Sequence, residues 1–324
     1  MAGPILILTQ EFDPIADRLV VELSRRGAAC VRWHPDSLVS DATLSVSVDR
    51  GGAKASISWR GRTVEIDEIR SVWNRRPAPF RFPRRISGKE RVFAEQELKS
   101  ALAGMLQLGD AFWINHPYRN RRASLKALQL EVARRIGLEV PRTLITNDPV
   151  QVRDFVAALG CRQVVYKTLH SPFLPDSPLA CFTSILSAEH LDKLDLIRHT
   201  AGIFQEYVPK RFEIRVTIIG HRVFATEIHS QEVEDTRIDW RRADTHKLRH
   251  SPHELPDDIE ARCRTLTAEF GLIYAAMDLI FTPDGRYVFL ENNPAGQYGW
   301  IEDLTGAPMT SSLAEVLIAG GALW

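Results

Sequence analysis

Cysteine is scarce: the 324-residue chain has four, at positions 30, 161, 181 and 263. None forms a Cys-x-x-Cys pair or stands at zinc-ligand spacing from a histidine, which excludes a zinc ribbon and argues against a disulfide framework. Reduced thiols in a cytoplasmic protein are the simplest reading. An excess charge of one sign is also missing, since 41 basic and 41 acidic side chains cancel. No global field therefore points to nucleic acid or to a membrane surface. No apolar run reaches the roughly 18 residues of a membrane-crossing helix, and the short apolar stretch 4–8 runs into polar residues too soon for a signal peptide. A GxxxxGK[ST] loop is absent, so P-loop chemistry is disfavoured. No internal repeat or low-complexity tract is apparent.

What is present is an acidic hairpin near the C-terminus. The runs 273–281 and 286–291 are rich in β-branched and aromatic residues and flank Pro283-Asp284-Gly285, a strong turn signal. A two-residue Asp284-Gly285 turn sets Asp278 directly opposite Glu291, with Cβ atoms about 4.5–5.5 Å apart, an arrangement that costs stability when both are charged. Asn293, two residues beyond Glu291, projects to the same side. Two carboxylates and an amide oxygen suit Mg²⁺, which takes oxygen ligands and leaves positions open for phosphate. Asp278 also interrupts an otherwise apolar run and is costly to bury without a partner.

The first hundred residues read as an α/β unit: a buried strand at 5–8, a helix opened by Asp13-Pro14 and closed by Gly27, and a second strand at 28–33. Segments 44–48, 55–59 and 63–66 form a small meander. A strand at 69–73 leads into a basic segment, Arg75 to Arg91, which reads as a solvated loop, with an anion- or peptide-binding role as the alternative. Ala94, Leu98, Ala101, Leu102 and Met105 then share a helical face. After a boundary at Asn115-His116-Pro117 come a helix ending at Gly137, a strand at 143–145, and a helix capped by Asp148 with Pro149 in its first turn. A strand at 163–168 contains Lys167, and the following loop has three prolines and no glycine. Strands at 203–208, 212–219 and 222–228 alternate. Glu213, Arg215 and Thr217 share one face and Phe212, Ile214, Val216 and Ile218 the other, as in an antiparallel sheet between a core and a cleft. The expected class is α/β followed by α+β, in three units: 1–115, 116–205 and 206–324.

Two lysines stand out beside the hairpin. Lys126 sits in the first turn of its helix, where the dipole disfavours a cation unless an anion also binds. Lys167 lies within a strand and needs a negative partner if buried. Either lysine alone reads as one that snorkels to solvent, but together with the acidic hairpin they point to a nucleotide triphosphate. Arg215 has an alternative reading as a cross-strand partner of Glu227. Arg241 has one as a surface charge.

The order Lys126, Lys167, Gln205-Glu-Tyr-Val208, Asp278 and Glu291-Asn-Asn293 resembles the ATP-grasp superfamily. The match covers the chain from about residue 115 to its end. Asn115-His-Pro117, Leu125-Lys-Ala-Leu-Gln-Leu130, Pro141-Arg-Thr-Leu-Ile-Thr-Asn147, Glu291-Asn-Asn-Pro-Ala-Gly-Gln297 and Ser71-Val-Trp-Asn-Arg-Arg-Pro77 narrow it to the microviridin-type ligases. Those enzymes macrocyclise ribosomal precursor peptides, the graspetides. The resemblance implies an ATP-grasp fold behind an N-terminal pre-ATP-grasp domain, with ATP and Mg²⁺ as cofactors. In that frame Lys126 and Lys167 neutralise phosphates, and Glu206, Tyr207 and Val208 form the adenine-binding hinge. Glu213 binds ribose, while Asp278, Glu291 and Asn293 hold magnesium. Arg215 stabilises the transferred phosphoryl group, and Arg241 faces the substrate. The expected partner is a precursor peptide with a leader segment, and a homodimer is allowed for. One departure is the glycine-free loop 168–181, where many superfamily members carry glycines over the phosphates.

The reaction implied is ATP-dependent activation of an Asp or Glu side chain as an acyl phosphate, followed by attack of a hydroxyl or amine to close an ω-ester or ω-amide ring. His229 and Asp239 are the candidates for general base. One alternative is a glutathione-synthetase-like or glutamate-adding ligase. Another is a non-catalytic ATP-binding regulator, against which the joint presence of Asp278, Glu291, Asn293 and Arg215 argues.

Overall fold

The computed structural model describes residues 3–170, 173 and 180–321. At the N-terminus, the Asp13 carboxylate accepts hydrogen bonds from the backbone N–H groups of Ile15 and Ala16. Pro14 then opens the helix Pro14–Arg25, as cap chemistry dictates. This helix joins Ile5–Leu8 to Cys30–Trp33, which pair in parallel. The sheet runs Cys30–Trp33, Ile5–Leu8, Ser71–Asn74, Phe112–Ile114, with every neighbouring pair parallel. Ile5–Leu8 is buried at every position, as a central parallel strand covered on both faces should be.

One face packs on the antiparallel meander Ala42–Asp49, Gly52–Trp59, Arg62–Glu65. The other packs on helix Pro14–Arg25, and beyond it the C-terminal helix Met309–Ala319 adds Leu313 and Leu317 to the core around Leu19 and Leu23. Nothing in the local pattern of residues indicates this long-range closure. Two expectations need correction here. The basic segment is not wholly solvated, because Arg75 is buried with its Nε 3.5 Å from Asp13 Oδ2. The face drawn on helix Gly88–Met105 is mostly open: Met105 is buried, Ala94, Leu98 and Leu102 are half-buried, and Ala101 is exposed.

The central sheet orders Ser184–Ile185, Val164–Lys167, Gly202–Glu206 and Thr143–Thr146, all antiparallel. Helix Pro149–Leu159 backs it through Val152 and Leu159. The larger sheet runs His250–Pro252, Arg222–Ile228, Phe212–Ile219, Tyr274–Phe281, Tyr287–Asn293. Its apolar face, including Ile214, Val216 and Met277, lies under helices Lys126–Arg135 and Asp257–Glu269. Its charged face looks across a cleft at the central sheet. The expected core-and-cleft alternation holds.

The acidic hairpin reaches its expected pairing by a different route. Gly285 N–H donates to Thr282 O and Thr282 N–H to Arg286 O, so the loop is three residues, 283–285, rather than two. Phe281 then faces Tyr287 and Leu279 faces Phe289. Continued unchanged, that register would set Leu290 opposite Asp278 and turn Glu291 to the far face. A bulge between Asp278 and Leu279 absorbs the extra residue, and Asp278 faces Glu291 after all. Bulges recur beside active sites because they re-aim side chains in this way. The glycine-free loop falls largely on 171–172 and 174–179, outside the described residues.

Candidate active site

Strand register gathers the acidic centre. Asp278 pairs with Glu291 on one side and with Arg215 on the other, while Asn293 faces Ala276. Asn293 Nδ2 lies 3.3 Å from Asp278 Oδ2 and 3.0 Å from Glu291 Oε1. Each acid has its own cation: Arg215 Nε is 2.6 Å from Asp278 Oδ1, and Lys126 Nζ is 2.8 Å from Glu291 Oε2. Arg241 stands behind them, held by Asp239 through contacts of 2.8 and 2.7 Å, and its charge acts on both acids. Lys126, Arg215, Arg241, Asp278, Glu291 and Asn293 are thus brought together.

The two carboxylates titrate apart. Burial pushes both upward, but Lys126 and the Asn293 amide hold Glu291 well below the usual carboxylate range. Asp278 stays raised, because burial and the opposing Glu291 charge outweigh the Arg215 guanidinium. Such a pair is what a divalent cation relieves. The donor set fits magnesium: two carboxylates and an amide, all offering oxygen. Here the Asn293 amide turns its nitrogen toward both acids, so ligation through Oδ1 takes a half-turn of that amide. No cluster of three or more His, Cys, Asp or Glu side chains suited to a metal occurs among the described residues.

Beside this centre a pocket opens between the sheets, with Val165, Tyr207, Val208, Ile280 and Leu290 as its apolar wall and Lys210 and Glu213 among its polar lining. A polar chamber adjoins it, lined by Lys126, Lys167, Arg241, Glu291 and Asn293. A partly apolar pocket continuing into a basic chamber suits a nucleotide, base first and phosphates second. Along the hinge the Tyr207 N–H is used by Gln163 O at 2.8 Å, and Glu206 pairs with Arg162 at 3.1 Å. The Val208 N–H has no hydrogen-bond partner among the described residues, so it is free to meet a base edge. Glu213 lines the cavity but is well tied: Lys210 holds one carboxylate oxygen and Ser230 the other. Burial pushes its carboxyl up. Lys167 spans both chambers, bonded to Gln205 Oε1 at 2.8 Å. Burial lowers its ammonium to about 8 against the pull of Glu291.

Other expectations fail. Glu227 is no partner for Arg215: it sits opposite Ile214, on the other face of the sheet, and accepts from His253 at 2.8 Å. His229 is not a free base, since its Nδ1 faces Arg249 at 2.8 Å and its Nε2 faces Glu227 at 2.9 Å. Asp239 is not one either: its oxygens are bound by Arg241 and by the Thr183 N–H, and against burial these contacts lower its carboxyl to about 2. Gln205 stood in the hinge motif of the sequence without a role of its own, and Lys210, Ser230 and the Trp240–Trp300 pair that flanks Arg215 carried no sequence signal.

Residues 4–121 match the family described as the MvdD pre-ATP grasp domain. Two solved structures resemble nearly the whole chain. Macrocyclase MdnC of Microcystis aeruginosa, bound to precursor peptide MdnA, is 29% identical with a TM-score of 0.86, covering 98% of this chain and 99% of that one. A RiPP-associated ATP-grasp ligase of Chryseobacterium gregarium, in complex with ADP and a leader and core peptide, is 28% identical with a TM-score of 0.90, covering 98% and 97%. Among curated proteins, a probable alpha-L-glutamate ligase 2 of Pseudoalteromonas atlantica is 25% identical over 68% of this chain and 71% of its own. Fold and centre define an ATP-grasp ligase. With an MvdD-type pre-ATP-grasp domain in front, the chain resembles the microviridin-type branch of these enzymes. No helix among the described residues is long and apolar enough to cross a membrane.

Proposed function

We propose that this ligase macrocyclises a ribosomal precursor peptide, using ATP to join an Asp or Glu side chain to a hydroxyl or amine of the same peptide. The observation that carries the reading is the register pair Asp278–Glu291, bridged by Asn293 and faced by Lys126, Arg215 and Arg241 beside the cleft between the sheets. A substrate carboxylate oxygen attacks the γ-phosphorus of ATP, and the bond to the β-phosphate oxygen breaks to release ADP. The hydroxyl or amine then attacks the acyl carbon, loses its proton, and phosphate departs, so the peptide loses one water per ring. Lys126 and Lys167 bind the phosphates and Arg215 steadies the transferred group. Glu206, Tyr207, Val208 and Glu213 take adenine and ribose, and Arg241 meets the substrate carboxylate. Magnesium held by Asp278, Glu291 and Asn293 supplies charge neutralisation at the phosphates. The units 1–115, 116–205 and 206–324 serve as pre-ATP-grasp domain and the two halves of the grasp.

The peptide substrate, with its leader segment, is favoured by likeness over the whole chain to ligases bound to precursor peptides. The glutamate-adding alternative draws on the curated relatives. Mass spectrometry of a candidate precursor from a neighbouring reading frame, after incubation with ATP and Mg²⁺, separates the two. Successive losses of water support macrocyclisation. Added glutamate residues support the alternative, and an unchanged peptide with no ADP released counts against both.

A further inference from the structure

Gln205 is 3% exposed and lies on the strand Gly202–Glu206 between Thr143 and Val165. Lys167 is two residues along from Val165, so its side chain rises on the same face. Among the described residues, Gln205 Oε1 is the hydrogen-bond acceptor of the Lys167 ammonium, at 2.8 Å. The other end of the amide is fixed as well: Gln205 Nε2 donates to Thr143 Oγ1 at 2.8 Å. Thr143 spends its own proton on the Pro141 carbonyl, also at 2.8 Å. That leaves the threonine oxygen only able to accept, so the amide must turn its nitrogen there and its oxygen to the lysine. An ammonium has no acceptor, which demands the same orientation from the other side. Donor logic thus fixes the chain from Pro141 to Lys167 at both ends.

We propose that Gln205 is a positioning residue, whose side-chain oxygen, set by Thr143, holds the Lys167 ammonium aimed into the phosphate chamber before nucleotide arrives. The inference rests on the reading that Lys167 binds phosphate. Glu291 and Asp239 attract the ammonium while Lys210 and Arg241 repel it, and those charges alone do not fix its direction. The amide oxygen does, so a nucleotide meets an oriented cation rather than one that must first be ordered.

The test is calorimetric binding of Mg-ADP and of adenosine to the full chain as wild type, Gln205→Met, Thr143→Val, Lys167→Met and the Gln205→Met/Lys167→Met double variant. Gln205→Met should bind ADP about tenfold more weakly, the loss expected for one hydrogen bond to a charged group, while adenosine affinity stays at the wild-type value. Thr143→Val should lose less, in the same direction. The double variant should match Lys167→Met alone, because Gln205 then has no lysine to act through. Unchanged ADP affinity in Gln205→Met, an equal loss for adenosine, or a full repeat of the loss in the Lys167→Met background overturns the inference. Wild-type ADP affinity in Lys167→Met removes the phosphate reading itself, a result distinct from the other three.

Discussion

Asp278 and Glu291 oppose each other in a half-buried position, and each already faces a cation. Isosteric neutralisation therefore has two consequences. Asp278→Asn and Glu291→Gln should each lower ligation by at least about a hundredfold, since charge stabilisation at the phosphates is lost. Glu291→Gln should also lower stability by about 1–3 kcal/mol, because Lys126 is left facing a neutral amide, whereas Asp278→Asn should not, because burial and the Glu291 charge already push that carboxyl toward its neutral form. Turnover of ADP and peptide checks the first outcome, and a urea melt the second. From sequence, the like-charge repulsion of the two acids was legible and Lys126 and Arg215 were named for the same site, but their direct pairing with the acids was not. Their proximity depends on register and on the helix Lys126–Arg135 packing across the hairpin, both long-range. Lys167 gives a pH prediction whose sign follows from its direction of shift. It is charged below about 8 and loses its proton as pH rises through that value. ADP affinity should then hold on the acid side of that value and fall on the alkaline side, and Lys167→Met should show no such fall.

At the scale of elements, the hairpin shows why a correct pairing can come from an incomplete account. Asp278 in an apolar run and the Pro283-Asp284-Gly285 turn made the pairing legible, because strand side chains alternate with a strict period of two. The three-residue loop and the bulge between Asp278 and Leu279 were invisible, since two one-residue irregularities of opposite effect cancel in the far register. The loop places Gly285 at φ +88 with open space where a Cβ would stand. Gly285→Ala should therefore cost about 1 kcal/mol through backbone strain alone. It should shift the denaturation midpoint while ADP affinity is kept, because the turn is remote from the bulge that aims Glu291. The chain from Ser230 to Leu248 has no apolar period, only short helical turns. Sequence patterning had nothing to read there, although Asp239 and Arg241 come from it.

At the scale of the whole molecule, the order of elements was readable but their closure was not. Local caps and alternation placed the first strand, its helix and the meander correctly. Nothing local indicates that Leu313 and Leu317, far along the chain, complete the core around Leu19 and Leu23. Arg18 also pairs with Asp303 at 2.6 Å across the same seam. Residues 1–115 expressed alone should consequently expose that face and fail to unfold cooperatively. A sharp thermal transition for that fragment would show that the shared core is dispensable.

The central claim is that Asp278, Glu291 and Asn293 gather around a divalent cation that meets the nucleotide's phosphates. Anomalous diffraction from crystals grown with ADP and Mn²⁺, recorded at the manganese edge, tests it most directly. The account predicts a peak among those three side chains, with Lys126 and Arg215 drawn off the carboxylates they hold here. ADP bound in the cleft with no manganese among the three would contradict it.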